Sequence, residues 1–147
     1  MGLWDWTLAA YARPGVPEAC LMLQDAHGQN TSFLLWAVWA EGPGPQDLAI
    51  AAGLGRDWEA RVLGPLRTVR RTLKADFPPV DDGARLGLRE DVEAAELRAE
   101  RVLMETFEAL EAGKNGAPTL AALTAASAAW GPPAPPDALA TLAAALD

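Results

Sequence analysis

The sequence predicts an all-α protein: a single-domain helical bundle of seven or eight helices with a long antiparallel helix pair. Three observations carry that expectation. Apolar residues recur three and four apart along most of the 147-residue chain, the spacing of a helix face. No stretch alternates apolar and polar residues as a half-buried strand would, and no internal repeat is present. Half of the residues are hydrophobic, enough for one packed core at this length.

Leu3, Trp4, Leu8 and Tyr11 place a first helix over about residues 3–12, with Asp5 and Thr7 on its wet side. Arg13-Pro14-Gly15 stops it, because proline lacks an amide donor and disfavours helix in the residue before it. Pro17 suits the first turn of a second helix and Glu18 its positive end. Ala19, Cys20, Leu23 and Ala26 form that helix's apolar stripe, and Gly28 is expected as a left-handed cap. Thr31 or Ser32 caps a third helix, apolar almost all round over residues 33–40. A helix with no polar face belongs in the centre of a core.

Gly42-Pro43-Gly44-Pro45 breaks the chain. A short helix is expected over residues 45–54, closed by Gly53 and Gly55. Trp58, Val62, Leu66, Val69 and Leu73 then mark an amphipathic helix to about Lys74, with Pro65 kinking or breaking it near Leu63-Gly64. Asp81 or Asp82 caps the longest helix, residues 84–112, whose inner stripe is Leu88, Val92, Ala95, Ala99, Val102, Phe107 and Leu110.

Residues 1–113 read as a helical core domain and residues 114–147 as an Ala/Pro-rich helical tail that packs on the core or on a partner. The tail holds no charge between Asn115 and Pro136. An alanine-rich helix over residues 119–130 precedes a stiff spacer, 131–136, that spans roughly 19 Å at about 3.1 Å per residue. Asp137 caps a last helix with Leu139, Leu142 and Leu146 on its apolar face. Exchange of that helix across the spacer is a low-cost route to a homodimer.

The segments LWDWTLAAYARPGVPEACLMLQDAHG, LLWAVW, VLGPLRTVRRTLK and AAELRAERVLMETFEAL, in that order, resemble a small proteobacterial family known as domain of unknown function 2390. The resemblance covers about residues 3–110 and stops before the tail. It implies an all-helical cytoplasmic bacterial protein. It implies no activity, since no catalytic residue of that family is available to carry over.

A net charge of -8 argues against a nucleic-acid partner, which calls for a basic face to displace counterions. One cysteine forms no internal disulfide, and no Cys/His cluster offers a metal site. No basic stretch followed by an apolar run marks a leader, and Trp6 stands where an acylation motif wants Ser or Thr. The longest apolar run, residues 33–40, is too short to span a bilayer. The chain is expected to be cytoplasmic, with no cofactor.

Two sets of residues are candidates for a site. The first is a pocket between the first three helices lined by Tyr11, Asp25, His27 and Trp36. His27 is the only imidazole, but Asp25 stands two residues away and points to a different face; His27 equally suits a helix C-terminus. Trp36 equally suits a core, and Cys20 reads as a small buried hydrophobe. The second set is a basic stripe, Arg67, Arg70, Arg71 and Lys74, whose guanidinium forks suit carboxylates and phosphates. Glu93, Glu96 and Glu100 of the next helix could answer that stripe instead. Those glutamates lack the histidines of a di-iron bundle. The stripe makes a non-enzymatic interaction protein with an anionic partner the first functional expectation. A small-molecule-binding protein or modest enzyme using the pocket is the alternative.

Overall fold

The computed structural model describes residues 1–147 and contains helices only. They are α1 (Leu3–Tyr11), α2 (Val16–His27), α3 (Thr31–Trp39), α4 (Pro45–Trp58), α5 (Gly64–Thr72), α6 (Asp82–Glu108), α7 (Thr119–Trp130) and α8 (Pro136–Leu146), with a π-helical turn, Glu59–Leu63, joining α4 to α5. No helix is long and apolar enough to cross a membrane.

α3 is the central rod: Phe33, Leu34, Leu35, Trp36 and Ala37 are all buried. α1, α2, α4, α6 and α7 pack around it, and its Phe33 and Trp36 rings meet Phe107 with centroids 6.2 and 5.5 Å apart. Its cap is Asn30, one residue ahead of the expected Thr31 or Ser32; the Asn30 carboxamide oxygen accepts from Phe33 N–H at 2.9 Å. Asparagine caps as well as serine and better than threonine at that position. Gly28 ends α2 with φ 62° as expected, and Gln29 N–H donates back to the Leu23 carbonyl.

The buried face of α1 is Leu3, Thr7 and Ala10, while Leu8 is 53% exposed. Small Thr7 and Ala10 let α1 lie close on α3 and α6, and the end of α6 holds it, Glu108 accepting from Leu3 N–H at 3.2 Å.

The glycines expected to close a short fourth helix do not stop it. α4 runs through Gly53 and Gly55, because Gly55 is where other helices approach: a Cβ there would meet the Trp130 ring at 3.0 Å and Phe107 at 3.4 Å. The break falls later, near Leu63-Gly64 as Pro65 requires. Pro65 brings no N–H to the helix ladder. Gly64, the last donor before it, reaches five residues back to the Glu59 carbonyl and so forms a π turn. A Cβ at Gly64 would sit 2.8 Å from that oxygen, so glycine is required there.

The rod made of α4, the π turn and α5 runs antiparallel to α6. Gly55 faces Phe107, Trp58 donates to the Ala99 carbonyl, Arg70 meets Glu96 and Leu73 meets Arg85, one number rising as the other falls. Apart from Arg85, the buried residues of α6 are Ala99, Leu103, Met104 and Phe107, and α5 buries none. The expected inner positions Leu88 and Val102 are 52% and 37% exposed. Leu88 lies outside because α5 and the first half of α6 form an arm standing off the body, and Val102 because Leu103 and Met104 beside it take the inward face.

Residues 114–147 do not form a separate layer. Leu123, Ala126, Trp130, Leu139, Leu142 and Leu146 belong to the same buried cluster as α3. The spacer folds back instead of extending, its Ala134 N–H donating to buried Ser127 Oγ at 2.8 Å. α8 covers α2 of its own chain, and Arg13 donates to the Leu146 carbonyl. Asp137 lies in the first turn behind Pro135, which holds the cap position.

Candidate functional site

A cleft of about 360 Å³ opens where the α2–α3 turn faces the π turn and the middle of α6. Gln24 and Asp25 come from the last turns of α2, and Gly28, Gln29, Asn30, Thr31 and Ser32 from the connection and the start of α3. Glu59, Leu63 and Arg67 stand on one face of the rod, Glu100 on α6, and Trp130 closes the end from α7. Only Leu63 and Trp130 in this set are apolar. The π turn contributes directly, since it sets the register in which Glu59, Leu63 and Arg67 share a face; such turns recur at functional sites.

Charges in the cleft are unevenly balanced. Arg67 donates to Glu59, and Arg70 holds both carboxylate oxygens of Glu96 at 2.9 Å. Glu100 has no hydrogen-bonded cation of its own. Burial pushes its carboxyl above the ordinary glutamate value, against the pull of Arg67 and with the help of Glu96 and Glu59. The side chain of Gln29 is held from behind: its Nε2 donates to the Pro132 carbonyl at 2.8 Å. Its Oε1 is buried without a partner. A buried amide oxygen left unpaired costs about 1–3 kcal/mol, so a residue in this wall of the cleft carries an acceptor that lacks a donor. Trp130 is fixed by its own hydrogen bond to the Gly28 carbonyl, with Arg56 over its ring at 5.0 Å.

The expected pocket between the first three helices does not assemble from its four residues. Asp25 lines the cleft. His27, on another face of α2 as its spacing dictates, borders a shallower hollow of about 560 Å³ with Glu18 and Asp137. Trp36 is 1% exposed and belongs to the core, because α3 is enclosed on every side. Tyr11 lies behind Thr31; burial of its hydroxyl end beside Cys20 pushes it up to about 12, although the residue is 37% exposed overall. Burial also pushes the Cys20 thiol up, the reverse of what a nucleophile needs.

The basic stripe does not form one free surface. Arg67 turns into the cleft and Arg70 onto α6, while Arg71 and Lys74 remain exposed. The answering carboxylates are Glu59 and Glu96. Glu93 pairs with Arg89 along its own helix. No group of three or more His, Cys, Asp or Glu side chains comes together in a form that could hold a metal ion.

Gln29, Glu59 and Trp130 have no functional signal in the sequence, and Glu100 reads there as surface charge. The single local clue is Gly64-Pro65, which forces a change of register just after Glu59.

Fold and cleft together define an all-α bundle with a polar recess, its ionisable lining mostly acidic, at the root of a helical arm. The chain matches the family described as protein of unknown function (DUF2390) over residues 2–107 and belongs to that family. The match takes in every cleft residue except Trp130. No curated protein and no solved structure matches the chain.

Proposed function

We propose that this protein binds a small molecule in the cleft between the α2–α3 turn and the rod. The observation that carries this reading is Gln29: buried at the cleft wall, pinned through its nitrogen, and left with an unpaired oxygen. Structural polar groups in a core are normally satisfied by the protein itself. An acceptor left open beside a recess of ligand size is a site feature. The recess holds no paired nucleophile and base, so the activity proposed is binding. The unpaired cysteine suits a reducing, cytoplasmic compartment.

The test is a melting-temperature screen of the full chain against a broad panel of metabolite-like compounds, repeated on Asp25→Trp. Asp25 is exposed on the rim, and the indole would fill the recess. A compound that raises the melting temperature of the wild type and not of Asp25→Trp supports the reading. A panel that produces no such compound overturns it.

A second reading is favoured by the arm. Val69, Phe77, Val80, Leu86 and Leu88 are 46–54% exposed there, beside Arg71 and Lys74. Such a surface suits an acidic protein partner with an apolar centre. A co-purifying protein lost on Phe77→Asp or Arg71→Glu, yet retained on Asp25→Trp, would favour the arm over the cleft.

A further inference from the structure

We infer that the molecule held in the cleft is a small organic cation carrying several N–H donors, such as a guanidinium or primary ammonium compound; this rests on the cleft being a binding site. Its ionisable lining is Asp25, Glu59 and Glu100 against Arg67 alone, and Arg67 is already engaged by Glu59. An anion entering here would meet carboxylates, with no free cation to receive it. A cation would meet open acceptors.

Gln29 makes the polarity of the site definite. Its carboxamide cannot turn over to offer a donor without breaking the hydrogen bond from Nε2 to the Pro132 carbonyl. Oε1 therefore stays the accepting end, 3% exposed as a residue and without a partner. Glu100, also on the cleft lining, is half-buried and shares its surroundings with Glu59 and Glu96. A bound N–H cation would donate to the first and neutralise the second.

The cation that fits is not a compact ion. The carboxylates do not converge as a metal-ligand cluster, so the charge they receive must be spread over several atoms or carried on a chain. The volume of about 360 Å³ lies at the small end of the roughly 300–1,000 Å³ typical of ligand pockets. Trp130 supplies an apolar wall for a short carbon chain.

The experiment uses the full chain with agmatine, putrescine and methylguanidine as cation probes, glucose as a neutral probe and inorganic phosphate as an anion. Ionic strength is held constant, and binding is followed by titration calorimetry and melting temperature. The expected result is saturable binding of at least one cation. Glu100→Gln, which keeps the shape of the side chain, should weaken it on the order of tenfold or more by removing a partly buried charge partner. Gln29→Leu should weaken it too, and Arg71→Glu on the arm should leave it unchanged.

Cation binding that survives both cleft variants places the cations elsewhere and overturns the inference. Glucose or phosphate binding blocked by Asp25→Trp, with no cation bound, overturns the cation class but leaves small-molecule binding standing. If no cation binds and the broad panel yields nothing sensitive to Asp25→Trp, both proposals fall.

Discussion

The indole N–H of Trp130 donates to the Gly28 carbonyl at 3.0 Å, tying the end of α7 to the end of α2 across 102 residues of chain. The tail therefore builds one end of the cleft as well as part of the core. Trp130→Ala is expected to lower stability by on the order of 3–5 kcal/mol, as buried aromatic truncations do. Trp130→Phe keeps most of the packing and loses only the hydrogen bond to the exposed Gly28 carbonyl, at about 0.5–1.5 kcal/mol. Denaturant midpoints of the two variants check the order.

Removing residues 131–147 is expected to unfold the body. Leu139, Leu142 and Leu146 are 2%, 0% and 7% exposed, and they cover the inner face of α2. Truncating such a leucine alone costs about 2–5 kcal/mol, against total stabilities of about 5–15 kcal/mol. The shortened chain should lose its cooperative thermal transition by circular dichroism. Retention of a sharp transition near that of the full chain would show that α8 is only loosely applied.

The two α4 glycines are expected to respond in opposite directions. A Cβ at Gly53 meets nothing within 4 Å, so Gly53→Ala gains helix propensity worth roughly 0.5–1 kcal/mol. A Cβ at Gly55 presses on the Trp130 and Phe107 rings, and overpacking of this kind costs about 1–3 kcal/mol. Paired melting curves decide it; equal responses would mean that the rings yield freely.

That contrast marks the limit of what can be read along the chain. The central place of α3, the Gly28 cap, the α6 cap (Asp81 of the two aspartates expected, accepting from Ala84 N–H at 2.8 Å) and the break near Gly64 all follow from signals lying within a few residues of one another. The role of Gly55 follows from Trp130, and the outward turn of Leu88 from the arm standing clear of the body. Neither cause is local. The cleft is legible for the same reason only in fragments. Asp25 and Arg67 stand out by residue type, whereas Gln29 matters because Pro132 takes its nitrogen, and Glu100 because Glu59 and Glu96 surround it. The basic stripe is regular on paper, yet two of its members are absorbed by carboxylates that packing places beside them.

Arg85 is expected to hold the arm together. It is buried, donates to the Leu73 and Lys74 carbonyls at 2.7 and 3.2 Å, and so satisfies the end of α5 from within α6. Asp76 and Asp82, at 3.4 and 3.3 Å, are largely exposed and add little. Arg85→Met leaves those carbonyls without a donor, at about 1–3 kcal/mol. Hydrogen exchange should quicken first in α5 and the start of α6, with α3 still protected. Uniform acceleration through the whole chain would mean that the arm is not a separate unit of opening.

Glu100→Gln is expected to raise stability near neutral pH while weakening the ligand. The folded state holds the Glu100 carboxyl above its ordinary value, chiefly through burial, with Glu96 and Glu59 adding to the effect and Arg67 opposing it. The unfolded chain titrates near the usual glutamate value of about 4.3. Between those two values the folded state binds more proton than the unfolded one, so stability falls as pH rises through that window. Above it the charged form carries its full penalty, and glutamine is free of it. The melting temperature of Glu100→Gln should therefore exceed that of the wild type at pH 7, and the two should converge below about pH 4. Asp25, Arg70 and Tyr11, the other ionisable groups nearby, are common to both proteins, and Tyr11, which Glu100 helps to raise to about 12, ionises far above this window. If Glu100 served chiefly as a structural partner of Arg67, the substitution would lower the melting temperature at pH 7 instead. A variant that folds more stably and binds more weakly separates the two roles. The folded chain keeps a carboxylate where folding disfavours it, and under the proposed reading a bound cation would offset that penalty.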